Sequence, residues 1–206
     1  EADWDGQWSE HMRVEITADD SPVGPAGAYL AIDVSAGPAD DAVYPVTSFS
    51  GVPSDLLTND EWRTTKIFLR RVPDTVPTTF TMGSPVDELG RDSDETQHEV
   101  TLTQPFYIGV FEVTQKQWER VMGTWPSYFN NTSVRDGRPV EWVSYNDIRG
   151  LSAGSEWPAS DAVDATSFLG KLRAKTNPPL GSADLPTEAQ WEAACRAGTT
   201  TALNNG

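Results

Sequence analysis

Short runs of hydrophobic residues, separated by turn-forming clusters, make up the first third of the chain. Met12, Val14 and Ile16 alternate with polar residues, residues 29–34 form a nearly continuous apolar run, and residues 66–72 are a further strand candidate. Alternation with a period of two and short apolar runs are both typical of strands. Clusters of Asp, Pro and Gly between the runs predict turns. This part of the chain is therefore expected to be β-rich.

Beyond residue 80, strand-like segments at residues 99–103 and 106–113 precede segments that carry helix start signals. A capping box satisfies two unpaired backbone N–H groups at a helix start, and its sequence form is Ser or Thr followed three residues later by Gln or an acid. Three such pairs predict helices that start at Thr114 with Gln117, Ser144 with Asp147, and Thr187 with Gln190, and Asp161 with Asp164 predicts a fourth, since Asp is also a good cap. The first is expected to end at Gly123 and the third near Lys175.

Prolines at positions 73 and 77 separate the two patterns, because proline breaks strand pairing and restricts the residue before it. We therefore predict a small β-rich module over residues 1–72 and a second domain over residues 73–206. The mixture of strands and capped helices in the second domain predicts an α+β fold.

Two of the predicted helices have a one-sided apolar face. Phe168, Leu169 and Leu172 recur at helical spacing in one, and Trp191, Ala194 and Cys195 do so in the last. Such faces usually pack in a core. Cys195 is thus expected to be a small core residue and not a nucleophile, because nothing near it in sequence would lower the pKa of its thiol.

The chain is strongly acidic, with 31 Asp and Glu against 15 Lys and Arg and a formal net charge of -16. That charge repels phosphate backbones, so a nucleic-acid partner is excluded and a solubilising surface is favoured. No run approaches the roughly 18 apolar residues that a membrane span needs. The acidic composition, rich in Trp, Thr and Gly, favours an exported protein.

Residues able to do chemistry are few, since the chain has two His and one Cys. This number excludes a zinc site of nitrogen and sulfur ligands. His98 is the plausible base of the second domain and is expected to be structural. The loop at residues 87–95 alternates carboxylates, which suits calcium as a structural ion, but it lacks the glycine and closing glutamate of an EF-hand, so a solvated loop is favoured. We assign no catalytic, cofactor-binding or metal-binding residue.

A series of motifs between residues 80 and 198 resembles the sulfatase-modifying factor family, whose best known members are formylglycine-generating enzymes. In order, these motifs are Phe80-Thr81-Met82-Gly83-Ser84, His98-Glu99-Val100-Thr101-Leu102, Phe106-Tyr107-Ile108, Glu112-Val113-Thr114, Gln117-Trp118, Pro139-Val140, Val143-Ser144-Tyr145-Asn146-Asp147 and the dense run from Leu185 through Trp191 to Gly198. The chain departs from the family at Asp184, where a basic residue is frequent, and at residues 150–160, an apparent insertion.

The resemblance implies a C-type-lectin-like formylglycine-generating-enzyme fold, of which this chain supplies the amino-terminal part. It also implies an oxygen-dependent oxidoreductase that binds copper through two closely spaced cysteines and oxidises a cysteine of a sulfatase or other protein. Cys195 matches neither of those cysteines. The implied partners include the remainder of the domain or a complementary chain. The helices of Trp118 and Trp191 are then expected to expose apolar faces, which would make the isolated chain unstable or self-associating.

A different class of function is a non-catalytic, lectin-like module that presents aromatic and acidic loops to a glycan or a protein. Trp125, Trp142 and Trp157 lie in or beside predicted loops and are its contact candidates, although burial is the commoner role of such residues. An iron-dependent relative with a histidine site is disfavoured, because the sequence has no paired His motif.

Overall fold

The fold is mixed α+β, as predicted. A computed structural model describes residues 13–15 and 27–200. The strands are β1 (Arg13–Glu15), β2 (Tyr29–Asp33), β3 (Tyr44–Phe49), β4 (Lys66–Val72), β5 (Thr78–Met82), β6 (His98–Leu102), β7 (Phe106–Gly109), β8 (Thr176–Asn177) and β9 (Ala183–Asp184). The α-helices are α1 (Glu61–Thr64), α2 (Gln115–Met122), α3 (Tyr145–Arg149), α4 (Phe168–Lys175) and α5 (Glu188–Arg196).

Seven strands form one sheet in the order β8-β3-β2-β4-β7-β1-β9, and β5 and β6 form a separate antiparallel pair. Within the large sheet β3 and β8 are parallel, whereas the other neighbours are antiparallel. The apolar run in β2 explains its central place, since Leu30 and Ile32 enter one core while Ala31 enters another on the opposite face. A strand buried on both faces has no room for polar alternation.

The main core contains side chains from both sides of residue 73. Leu30 and Leu69 belong to it together with Trp118 and Leu172, and β4 pairs directly with β7. The division into residues 1–72 and 73–206 stays a prediction, to which the structure adds that strands on its two sides share a sheet and a core.

Three of the predicted capping boxes are confirmed. The side chains of Thr114, Ser144 and Thr187 each accept from the backbone N–H three residues on, and the side chain of that residue accepts in turn from the backbone N–H of the cap. Gly123 ends α2 with φ of 74°, a left-handed conformation that glycine adopts without steric cost.

The predicted helix start at Asp161 is wrong. α4 begins after Ser167, whose hydroxyl accepts from Gly170 N. The Asp164 carboxylate is used elsewhere, because it accepts from the backbone N–H groups of Ser152 and Ala153. Asp and Ser are both good caps, and the contact to residues 152 and 153 cannot be read from local sequence.

The two tryptophans that we expected on exposed helix faces differ in their burial. Trp118 is buried and stacks on Phe168 with 4.9 Å between ring centroids, so that expectation is wrong. Trp191 is 39% exposed, as expected. Cys195, on the same helix, is exposed and not the core residue that its spacing predicted. In the described part of the chain, no helix is long and apolar enough to cross a bilayer.

Candidate functional site

Three aromatic side chains, Tyr128, Phe129 and Trp142, form an exposed cluster that we call the aromatic platform. Their exposed fractions are 67%, 61% and 76%. The rings of Tyr128 and Trp142 are nearly parallel, with centroids 5.8 Å apart and 22° between their planes. Phe129 meets Tyr128 edge to face at 5.1 Å. Exposed single apolar residues are common on proteins, whereas contiguous patches mark binding surfaces.

Hydrogen bonds fix the two segments that carry the platform against each other. The Ser127 hydroxyl donates to the Glu141 carbonyl and accepts from the Glu141 N–H, each at 3.2 Å. The Glu141 side chain accepts from Phe129 N at 2.8 Å. Ser127 is buried although it lies next to Tyr128. The platform is therefore held by a polar base beneath it.

Gln115, at the start of α2, extends this base. Its side chain is buried and donates to the carbonyls of Phe129 and Pro139, at 3.2 and 3.3 Å, while it accepts from the indole N–H of Trp125 at 2.9 Å. A buried amide whose N–H groups and oxygen are all hydrogen-bonded restrains the groups to which it is bonded. The platform is thus anchored to a helix that packs in the main core.

Trp142 has φ of 61°, in the left-handed region. For a residue other than glycine this conformation costs roughly 1–2 kcal/mol. Backbone strain of this kind persists where surrounding contacts impose it, and it is frequent at functional sites. Trp142 is also the most exposed member of the platform, so the strained residue is the one that presents its ring most fully to solvent.

Of the three tryptophans chosen from sequence, only Trp142 belongs to the platform. Trp125 lies under the Arg135 guanidinium, 3.8 Å from its ring centroid. Trp157 lies under the guanidinium of Arg149 at 4.9 Å. Both are partly covered cation–π partners inside the protein. Sequence reasoning missed Tyr128 and Phe129, for which the signal was two adjacent aromatic residues in a Pro- and Asn-rich loop.

A second feature is an open cleft of about 1310 Å³ between the β5–β6 pair and α5, whose walls include His98 and Trp157. Its carboxylate-bearing lining residues are Asp92, Asp94, Glu95, Glu188 and Glu192. His98 is exposed, and its Nδ1 lies 2.9 Å from the Thr96 carbonyl.

The acidic loop at residues 87–95 borders this cleft. The Ser84 hydroxyl donates to Glu95 at 2.6 Å, and this hydrogen bond lowers the pKa of the Glu95 carboxyl. Among the described residues, no three His, Cys, Asp or Glu side chains come together in a group that could hold a metal ion. Calcium at this loop stays a prediction. The implied copper site does not fit this chain, whose single thiol is Cys195.

A buried ionic cluster adjoins the cleft, because Arg149 contacts two of its lining residues, Tyr145 and Trp157. Asp184 accepts from both Arg149 and Arg173, and the Arg149 side chain is fully buried. Further Arg149 N–H groups donate to the carbonyls of Gly154, Ser160 and Ala162, in or beside the apparent insertion. Asp184, a departure from the family pattern, therefore has a structural role.

A family model described as the sulfatase-modifying factor enzyme 1-like domain matches residues 71–204. Among curated proteins, the chaperone protein LppX of Paenibacillus barcinonensis is 54% identical over 48 residues, which are 23% of this chain and 15% of that protein. This chain therefore matches well under two thirds of the length of that relative. No solved structure matches the chain.

Proposed function

Because this chain belongs to the sulfatase-modifying factor enzyme 1-like family, we propose that it is a ligand-binding part of such a domain, with the aromatic platform as its contact surface. The observation that carries this proposal is the exposure of three large aromatic rings on a base of partly buried hydrogen bonds. Fold alone does not determine function, so the proposal depends on this surface.

The rigid placement of the platform supports the proposal. Binding loses less conformational entropy when the contact groups are already ordered. The Gln115 and Ser127 hydrogen bonds hold the loop before any ligand arrives. Removing exposed aromatic area from water would also be favourable by roughly 25 cal/mol per Å². A lectin-like scaffold presenting this platform is the non-catalytic module that the sequence allowed, and its ligand is a glycan or a protein. An exported location is part of the same proposal.

Oxidation of a cysteine in a partner protein such as a sulfatase is what the family resemblance implies for a complete domain. That resemblance assigns the reaction to a pair of close cysteines, and the 206 residues contain one cysteine. We therefore place this proposed activity outside the present chain. Incubation of the chain with a cysteine-containing sulfatase peptide, copper and oxygen, followed by mass spectrometry, should return the peptide without an aldehyde.

The binding proposal is tested by screening the chain on a glycan array and on a peptide array. The peptide array also tests a chaperone role, which the name of the Paenibacillus barcinonensis relative suggests. Binding on either array should be lost in Trp142→Ala and kept in Trp191→Ala, which removes a partly exposed tryptophan elsewhere. Absence of ligands on both arrays, or ligands that bind equally to both variants, would contradict the proposal.

A further inference from the structure

We propose that the ligand of the aromatic platform is a glycan, with the C–H face of a pyranose ring stacked on the outward face of Trp142. This inference rests on the proposed binding function and names the ligand class for the same surface. It is carried by four features of the platform: ring orientation, area, polar surroundings and charge.

The ring orientation suits a flat ligand. Trp142 and Tyr128 stack on each other, nearly parallel and with ring centroids 5.8 Å apart, and the more exposed Trp142 keeps its opposite ring face for a ligand. The face of an aromatic ring carries negative electrostatic potential. Sugar C–H groups are polarised by the neighbouring oxygens, and the axial C–H groups of a pyranose ring form a flat patch that complements such a face.

The platform is too small for an ordinary protein interface. A buried aromatic side chain contributes about 150–250 Å², so three rings that are about two thirds exposed offer roughly 300–500 Å². A standard protein–protein interface buries about 800 Å² on each partner. The platform therefore offers less area than one side of an ordinary protein interface, which suits a small ligand.

Neutral polar groups beside the platform can pair with sugar hydroxyls. Asn130 and Asn131 follow Phe129 and are exposed. The Asn130 amide N–H donates to the Ser127 carbonyl at 3.0 Å, while the Asn131 side-chain oxygen accepts from Ser133. Among the described residues, the Asn130 side-chain oxygen and the Asn131 amide N–H groups have no hydrogen-bond partner, so they can serve a ligand. Together they provide an acceptor and a donor, and a hydroxyl group can use either.

The charge of the chain also favours a neutral ligand. A net charge of -16 repels phosphorylated and other polyanionic ligands. Near the platform, Arg138 donates to the Phe129 carbonyl and one carboxylate oxygen of Glu141 accepts from Phe129 N, so each charged group contacts a neutral backbone group of the loop. Neutral oligosaccharides are thus favoured over acidic ones.

The test is calorimetric titration of the whole chain with hexaoses of β-1,4-glucose, β-1,4-xylose, β-1,4-N-acetylglucosamine and α-1,4-glucose, and with a neutral peptide rich in Leu and Phe. At least one hexaose should bind. Trp142→Ala should weaken that binding by about tenfold, as expected for one lost aromatic stacking partner. Trp142→Phe should restore most of it, and Trp191→Ala should leave it unchanged.

The outcomes separate this inference from the proposed function. Binding of the peptide, dependent on Trp142 and without binding of any hexaose, would overturn the glycan assignment and leave the binding function in place. Failure of every titrant would overturn the glycan assignment, and the array screens would then decide the binding function. Hexaose binding that Trp142→Ala does not weaken would place the ligand elsewhere and overturn the inference. Matching urea unfolding curves for all variants ensure that lost binding is not lost folding.

Discussion

The guanidinium of Arg149 lies edge to edge against the carboxylate of Asp184, with Nε 2.7 Å from Oδ1 and Nη2 2.9 Å from Oδ2. Both side chains are at most 1% exposed. Arg173 adds a third contact to the same carboxylate at 2.8 Å, and the backbone N–H of Leu185 adds a fourth. The carboxylate is thus fully hydrogen-bonded without water.

Replacing Asp184 should destabilise the fold severely, because Arg149 would keep a buried charge without its counter-ion. Breaking one side of a buried pair costs about 3–5 kcal/mol. We expect a loss of that size in the free energy of unfolding of Asp184→Asn, measured in urea. Glu61→Gln is the matched control, since Glu61 is paired with Lys66 but half exposed, and exposed pairs contribute about 0–1 kcal/mol. Equal losses in the two variants would contradict the structural role of the cluster.

Acid should weaken the fold through Asp55 and Asp164. Asp55 accepts from Asn59 and the Trp62 indole, and Asp164 from two backbone N–H groups, and these hydrogen bonds lower the pKa of both carboxyls. A carboxyl whose pKa is lower when folded stabilises the protein above its unfolded pKa, about 3.9. That stability is lost as the pH falls through the folded pKa.

Urea unfolding from pH 7 to pH 3 measures this effect. The contribution of the two groups should stay constant down to about pH 5 and decrease below about pH 4. Asp164→Asn should flatten the decrease, whereas Asp87→Asn, in the exposed loop, is the control. A decrease in stability that is just as steep in Asp164→Asn as in the unchanged chain would rule out this role for Asp164.

The Cys195 thiol should react with a thiol reagent in the folded protein. The residue is exposed on α5, so the reagent reaches it without unfolding, whereas a core cysteine reacts only after an opening event. Labelling in buffer should proceed within about tenfold of the rate in 6 M guanidinium, when both are compared at one pH. Protection by several orders of magnitude would show that Cys195 is the core residue that its spacing suggested.

At position 142, substitution by glycine should leave the fold more stable than substitution by alanine. Both substitutions remove the ring, but alanine keeps the unfavourable φ of 61°. At an ordinary φ, Gly is less stable than Ala by about 0.4–1 kcal/mol, and at a left-handed position the order reverses. We expect Trp142→Gly to exceed Trp142→Ala by about 1 kcal/mol in unfolding free energy. The reverse order would show that Trp142 is not held in this conformation.

Local chemistry made the strands and most helix starts predictable from the sequence. The capping boxes at Thr114, Ser144 and Thr187 depend on atoms three residues apart, so the sequence contains both partners. The strand predicted at residues 66–72 is confirmed as β4. Its apolar residues alternate between the two cores. Helix α4 started later than predicted because Asp164 bonds to a distant loop.

Long-range contacts made the rest unpredictable. Arg149 and Asp184 are brought together by the packing of α3 against α4 and the pairing of β9 with β1, and neither residue signals the other locally. The platform combines Tyr128 and Phe129 with Trp142 through the hydrogen bonds of Ser127 with Glu141. Helical spacing identified the apolar face of α5 but could not tell whether another element covers it, which is why Cys195 was misplaced.

The position of β1 has a consequence for how the chain is made. Of the described strands this one is synthesised earliest, yet its two neighbours in the sheet, β7 and β9, come from the middle and the far end of the described chain. Proteins emerge from the ribosome at about 5–20 residues per second. The earliest strand must therefore wait several seconds for its partners, so this part of the sheet is completed late, and a stalled ribosome would leave it open.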